Sequence, residues 1–309
     1  MEPAPFHADV ADGPPDGNAW WVKTADGVRI RVGAWRDGSK GTVLLFPGRT
    51  EYVEKYGRLA GELGDRGYAV LAIDWRGQGL ADRLPANPAV GHVGHFADFQ
   101  HDVTAAFGAA RELALPEPFH LIAHSMGGCI GLRALINGLP VRAAAFSAPM
   151  WGLGIRPMMR PLAWTLSGFA RLTGRGASYA PGTGPSTYVA TAPYENNVLT
   201  TDPDMFAYMK RQVTTHPDLA LGGPSMTWLN EALLEMRRLR AGPFPAHPVL
   251  VALGTRERVV DPQAIHRVMS RWPAARLDVV ADAEHEIIME TPAIRSRFLD
   301  AATALFAAA

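Results

Sequence analysis

Compact apolar runs alternate along this chain with stretches whose apolar positions recur at helical spacing. Trp20 to Thr24 and Val28 to Trp35 flank Ala25-Asp26-Gly27, and Asp-Gly between β-prone runs predicts a hairpin. Thr42 to Phe46 is apolar and ends in Pro47-Gly48, the pattern of a buried strand. Val53 to Arg66 carries Tyr56, Leu59, Ala60 and Leu63 at helical spacing. Tyr68 to Ile73 is again apolar, and Asp74 to Gly79 follows as a loop. Phe96 to Leu115 reads as a helix closed by Pro116, Phe119 to Ala123 as a strand, Cys129 to Asn137 as a helix and Arg142 to Phe146 as a strand. Strand and helix in regular alternation with short loops predict a mostly parallel sheet covered by helices on both faces.

The rhythm stops near Pro149 and returns at Pro248. Between them no buried strand is evident. The stretch holds amphipathic segments such as Met205 to Gln212 and Met226 to Leu239, a Gly/Pro/Thr-rich piece from Thr173 to Pro185, and seven of the chain's 11 methionines. Pro248 to Leu253 then reads as a strand, Pro262 to Arg271 as a helix, Leu277 to Ala281 as a strand and Thr291 to Phe306 as a closing helix. The expected organisation is a flexible lead-in over 1–18, an α/β core over 19–148 and 246–309, and a helical cap inserted over 149–245. Its methionines and tryptophans read singly as helix core; together they suit an adaptable apolar surface over a pocket. There are no internal repeats.

Composition narrows the function. The chain has 309 residues, 48% hydrophobic and 19% charged, enough for a large core and unlike a disordered protein. Lys plus Arg and Asp plus Glu both total 30, so no basic excess points to nucleic acid. One cysteine, Cys129, excludes an internal disulfide framework and fits a reducing compartment. The N-terminal stretch lacks the basic and apolar regions of a signal peptide, and no apolar run is long enough to span a bilayer. A cytoplasmic location is expected, with peripheral membrane contact left open.

The chemistry centres on Ala123-His124-Ser125-Met126-Gly127-Gly128, where an apolar run ends abruptly and a helical run begins. Strand, sharp turn and helix with serine at the apex is the nucleophile elbow, here with Ala123 in the first glycine position. A serine needs a base within hydrogen-bond reach and an acid to orient that base. In the elbow arrangement the acid and then the histidine follow the serine along the chain. Of the later histidines, His216 lies in the insertion, His247 before a strand and His266 in a helix, whereas His285 follows a strand directly. His285 is therefore the expected base. The preceding strand leads into Gly254 to Asp261. There Asp261, just before Pro262, reads as a helix cap, which leaves Glu257 as the acid, against the competing reading of an ion pair with Arg256 or Arg258. An oxyanion hole needs two backbone N–H donors, one after the nucleophile and one from the loop after the third predicted strand. These are assigned to Met126 and Arg49, with the Arg49 side chain expected in solvent.

Two clusters carry no such assignment. His92, His95, Asp98, His101 and Asp102 match no zinc spacing, and Gly77-Gln78-Gly79 lacks the phosphate-loop signature. No metal or cofactor is expected. The acidic insertion residues Glu195, Asp202, Asp204 and Glu231 could meet a cationic head group, but a solvated face is their ordinary role.

Taken together, Pro47 to Tyr56, Asp74 to Gly79, Ala123 to Gly128, Gly222 to Leu229, Glu257 to Asp261 and His285-Glu286-Ile287 resemble the α/β-hydrolase fold superfamily. Within it the chain is similar to the lysophospholipase L2 and monoacylglycerol lipase group of serine hydrolases, over roughly residues 20 to 305. The resemblance implies a doubly wound α/β sheet with an inserted helical cap. Its triad falls on Ser125, Glu257 and His285, and its oxyanion donors on Arg49 and Met126. It implies a carboxylic-ester hydrolase that cleaves a single-chain lipid through an acyl-serine. Monoacylglycerol lipase, general carboxylesterase and thioesterase are the alternatives on the same fold, and a non-catalytic binding protein is the reading from another class. The chain has Pro47-Gly48 where the family commonly has His-Gly.

Overall fold

A computed structural model describes residues 1–309. Its nine strands are β1 (Glu2–Ala4), β2 (Asn18–Lys23), β3 (Arg29–Trp35), β4 (Thr42–Phe46), β5 (Ala69–Asp74), β6 (Phe119–His124), β7 (Ala144–Ser147), β8 (Val249–Gly254) and β9 (Ala275–Val280). They form one sheet in the order β1-β2-β3-β5-β4-β6-β7-β8-β9. The pairs from β5 through β4 to β9 are parallel, and the three N-terminal strands join them antiparallel. The Asp26-Gly27 hairpin joins β2 and β3 as the pattern predicts.

Neighbouring residues along β4 show why the strands read as continuous apolar runs. Leu44 and Phe46 join one buried layer while Val43 and Leu45 join the other, as the two-residue period of a strand requires when both faces are covered. Helices α3 (Phe99–Glu112), α4 (Met126–Ile136), α8 (Met226–Ala241) and α9 (Pro262–Met269) supply the first layer. Helices α2 (Gly57–Gly64), α7 (Pro203–Thr215) and α10 (Pro292–Ala308) supply the second.

Between the adjacent strands β7 and β8 the chain leaves the sheet. It forms α5 (Arg160–Leu172), the short α6 (Tyr188–Thr191), α7 and α8 before returning. Helices α7 and α8 are anticipated by their periodicity; α5 is not. The methionines of this excursion divide by place. Met150, Met205, Met209, Met226 and Met236 are buried, whereas Met158 and Met159 are exposed.

Residues 1–18 differ from a flexible lead-in. β1 pairs with β2, and the short helix α1 (Ala8–Ala11) buries Val10 and Ala11. Its carbonyls are taken by the excursion: Tyr208 Oη donates to Ala11 O at 2.6 Å and Gln212 Nε2 to Val10 O at 2.9 Å. A three-residue strand and a one-turn helix carry too little periodicity to be read from sequence, and their stability comes from these tertiary bonds.

Candidate active site

All parallel strands of this sheet end on one edge, and four loops from those ends meet there. They follow β4, β6, β8 and β9, and bring Arg49, Ser125, Glu257 and His285, far apart in sequence, to one place.

Ser125 stands between β6 and α4 with φ 49° and ψ −115°, a left-handed backbone that costs a non-glycine residue energy and persists only where the surroundings impose it. The surroundings here are specific. Ser125 N donates to Ser147 O at 3.0 Å, and Met150 N donates to Ser125 O at 2.8 Å. A Cβ on Gly127 would lie 2.0 Å from Phe46 O, and one on Gly128 would lie 2.6 Å from Pro149 Cβ. The two glycines therefore let α4 start against the neighbouring strand ends, and the serine is left at the apex.

His285 Nε2 lies 2.9 Å from Ser125 Oγ and Nδ1 lies 2.7 Å from Glu257 Oε2. With a carboxylate facing Nδ1, that nitrogen holds the ring proton and Nε2 accepts from the serine hydroxyl. The second oxygen of Glu257 accepts the N–H groups of Val259 at 2.6 Å and Val260 at 3.0 Å. Burial alone would raise the Glu257 carboxyl, but the charge and hydrogen bond of His285 and the two N–H groups hold it below its ordinary range. Burial would likewise lower His285; Glu257, by charge and hydrogen bond, outweighs it and raises the imidazole. The competing acid has other work. Asp261 caps α9, accepting from Gln263 N at 3.0 Å, and pairs with Arg160 and Arg267. Arg256 and Arg258 bond Asp282 and Glu284 rather than Glu257. His216 pairs with Asp9, and His266 is exposed on α9.

Arg49 follows β4 beside a cavity of about 260 Å³ that Ser125, His285 and Val259 also line. Its N–H and that of Met126, the first residue of α4, are without an acceptor in the chain. The Arg49 side chain is not in solvent as expected. It is half-buried in the cavity wall, where Nη1 donates to Gly222 O at 2.8 Å and the guanidinium lies 5.8 Å from the Trp228 ring centroid.

The loop carrying Arg49 is held by residues that sequence reasoning passed over. Gln78 Nε2 donates to Gly48 O at 3.0 Å, and Gln78 Oε1 accepts from Thr50 N at 3.2 Å. Trp75 Nε1 donates to Pro47 O at 2.9 Å. Glu51 accepts from Gly48 N and from Tyr56 Oη. Below it, Lys55 Nζ reaches Glu51 at 2.8 Å and Glu286 at 2.7 Å. Burial pushes the Glu286 carboxyl up to about 7 against the pull of Lys55. These groups form a polar floor beside the serine, with Met209, Val189, Val198 and Leu199 as its apolar wall. The motif Arg-Gly-x-Gly was visible in the sequence; that Gln78 in it braces another loop was not, because the two are 28 or more residues apart.

The remaining clusters are accounted for locally. His92 Nδ1 lies 2.9 Å from Ser225 Oγ, Asp98 caps a turn at His95, and Asp102 binds Arg76. Asp202 caps α7, Asp204 pairs with Arg58, Glu231 pairs with Arg171, and Glu195 is exposed. None of these four insertion acids lines the Ser125 cavity.

The chain matches the family model described as serine aminopeptidase, S33, over residues 37–292. It is 35% identical over 277 residues to lysophospholipase L2 of Escherichia coli (strain K12), covering 85% of this chain and 79% of that one. The chain belongs to this family of α/β-hydrolases. A probable lysophospholipase L2 of Haemophilus influenzae is 30% identical over 260 residues, covering 83% of this chain and 80% of that one. Two solved structures share the fold of this family member. A soluble variant of monoglyceride lipase from Saccharomyces cerevisiae aligns with a TM-score of 0.73 at 21% identity, covering 98% of both chains. A monoacylglycerol lipase from Paleococcus ferrophilus aligns with a TM-score of 0.65 at 20% identity, covering 90% of this chain and 98% of that one.

Proposed function

We propose that this hydrolase cleaves the carboxylic ester of a lysophospholipid, with Ser125 as nucleophile, His285 as base and Glu257 as the acid that orients it. The observation that carries the reading is the unbroken chain of hydrogen bonds from Ser125 Oγ through both ring nitrogens of His285 to Glu257. Ser125 Oγ attacks the ester carbonyl as His285 Nε2 takes its proton. Glu257 keeps the Nδ1 tautomer and stabilises the imidazolium that forms. Negative charge grows on the carbonyl oxygen, and the N–H groups of Arg49 and Met126 are the donors proposed to receive it. Collapse of the tetrahedral intermediate breaks the bond to the leaving alcohol, which takes the proton back from His285. The acyl-serine is then cleared by water through the same base.

The excursion over residues 149–245 acts in this reading as a cap. Its segment Asn197 to Leu199 bonds the catalytic loops: Arg258 Nη2 donates to Asn197 O at 2.6 Å and Glu286 N to Leu199 O at 2.7 Å. The cap also presents α5 outward, and this helix is proposed to meet the lipid surface that holds the substrate. No helix is long and apolar enough to cross a membrane.

The test is a series of lysophosphatidylethanolamines with graded acyl chains, assayed for free fatty acid. The reading predicts that kcat/KM rises with chain length well beyond acetyl. A preference for acetyl esters, with no release from long-chain lysophospholipid, would overturn the lipid substrate and leave a small-ester hydrolase.

A further inference from the structure

The Ser125 cavity is walled by two cations, and they differ in how their charge is met. Lys55 is held between Glu51 and Glu286. Arg49 has no carboxylate within ion-pair distance; its side chain bonds through Nη1 to Gly222 O. A guanidinium carries five N–H donors in a planar fork matched to carboxylate and phosphate oxygens. The other donors of that fork meet no acceptor in the chain, and Arg49 is one of the residues lining the Ser125 cavity. Burial pulls the guanidinium down to about 10, which still leaves it charged at neutral pH. A half-buried cation without a counter-ion is costly, and an anion entering the cavity relieves that cost.

We propose that the Arg49 guanidinium receives the phosphate of the substrate head group and so selects phosphate-bearing lipid esters over monoacylglycerols. The proposal rests on the lysophospholipid reading above and adds a specificity-determining side chain to it. The spacing suits the task. If the Arg49 N–H meets the oxyanion, its side chain leads away from the reacting carbonyl. From backbone nitrogen to Cζ it has as many intervening atoms as a 1-acyl lysophospholipid has between carbonyl carbon and phosphorus. One residue then contacts both ends of the leaving group's span. The nearest carboxylate along the chain, Glu51, does not compete for the guanidinium, because it is already engaged by Gly48 N, Tyr56 Oη and Lys55. Neutral groups lie against the guanidinium: the Trp228 ring, and Gly91, where a Cβ would come 3.1 Å from Nη1.

The experiment compares wild type, Arg49→Gln and Arg49→Lys on lysophosphatidylethanolamine and on monoacylglycerol of the same acyl chain. Because the Arg49 main chain is itself placed near the reaction, the readout is the ratio of the two kcat/KM values in each variant. Labelling of Ser125 by a fluorophosphonate checks that each variant is folded. The ratio of lysophospholipid to monoacylglycerol should fall roughly 10- to 100-fold in Arg49→Gln, as for loss of a charged hydrogen bond. Arg49→Lys should recover part of it, having the charge without the fork. In parallel, glycerol 3-phosphate should inhibit a short p-nitrophenyl ester assay more strongly than glycerol does in wild type, and Arg49→Gln should erase that difference. An unchanged ratio, or an equal loss on both lipids, overturns the phosphate role. Wild-type enzyme that ignores lysophospholipid but cleaves monoacylglycerol would instead defeat the substrate reading, and the inhibition comparison would still decide whether Arg49 binds phosphate.

Discussion

At His285 burial and charge act in opposite directions, and charge prevails. Burial disfavours the imidazolium, but Glu257, with Glu286 and Glu51 behind it, raises the imidazole above its ordinary value near 6.5. The sign for catalysis follows. In the proposed mechanism His285 works only as neutral imidazole, so kcat/KM should fall as the pH drops through this raised value, with the acid limb higher than for an unperturbed histidine. Glu257→Gln removes the largest favourable charge. Its kcat should fall on the order of 10³- to 10⁴-fold, by analogy with neutralising the acid of a serine triad, and its acid limb should move to lower pH. A pH profile of kcat/KM checks this, and an unmoved limb contradicts it. The meeting of Ser125, His285 and Glu257 was legible because each stands just after a strand, and because Asp261 next to Pro262 had a capping role to explain it. The floor of Glu51, Lys55 and Glu286 was not legible. Glu286 is 231 residues from Lys55, and no local pattern announces a partner at that distance.

Helix α5 shows how an element escapes a reading based on buried faces. Its inner side holds small residues, with Ser167 and Ala170 buried against α8. Apart from Trp164, which lies against Leu233 and Met236, its large apolar residues face outward instead: Phe169 is 66% exposed and Leu172 87%, with Leu162 and Leu166 exposed on the same side and Met158, just before the helix, 82% exposed. Such a stripe is a surface feature, and on a lone face it marks contact with a partner or a membrane. From Gly152 to Tyr194 the chain has Arg156, Arg160, Arg171 and Arg175 and no acidic residue. Arg160 and Arg171 reach acids on other elements, whereas Arg156 and Arg175 have no acidic partner. Apolar bulk beside free cations fits an anionic lipid surface. Replacing Phe169 and Leu172 together by serine should weaken binding to phosphatidylglycerol vesicles roughly 10- to 100-fold, the loss expected for two large apolar side chains. Cosedimentation measures this, and equal binding of both proteins would assign α5 another role.

The whole molecule works by convergence. The strand–helix rhythm made the sheet and the excursion legible, because buried parallel strands advertise themselves as apolar runs between helical periods. What the rhythm could not show is that an N-terminal segment is tied to the excursion, or that Asn197 to Leu199 returns to brace the loops of Glu257 and His285. Those contacts depend on the finished fold. They tie the excursion to the N-terminal segment and to the loops of Glu257 and His285 beside the Ser125 cavity, and with the geometry at Ser125 they support the account of a lysophospholipid ester hydrolase. The most direct test is the release of fatty acid from long-chain lysophosphatidylethanolamine by wild type and by Ser125→Ala. The account predicts steady turnover by the wild type and a loss on the order of 10⁶-fold in the variant, as when the nucleophile of a serine triad is removed. Fatty-acid release by Ser125→Ala at a rate near that of the wild type would contradict it.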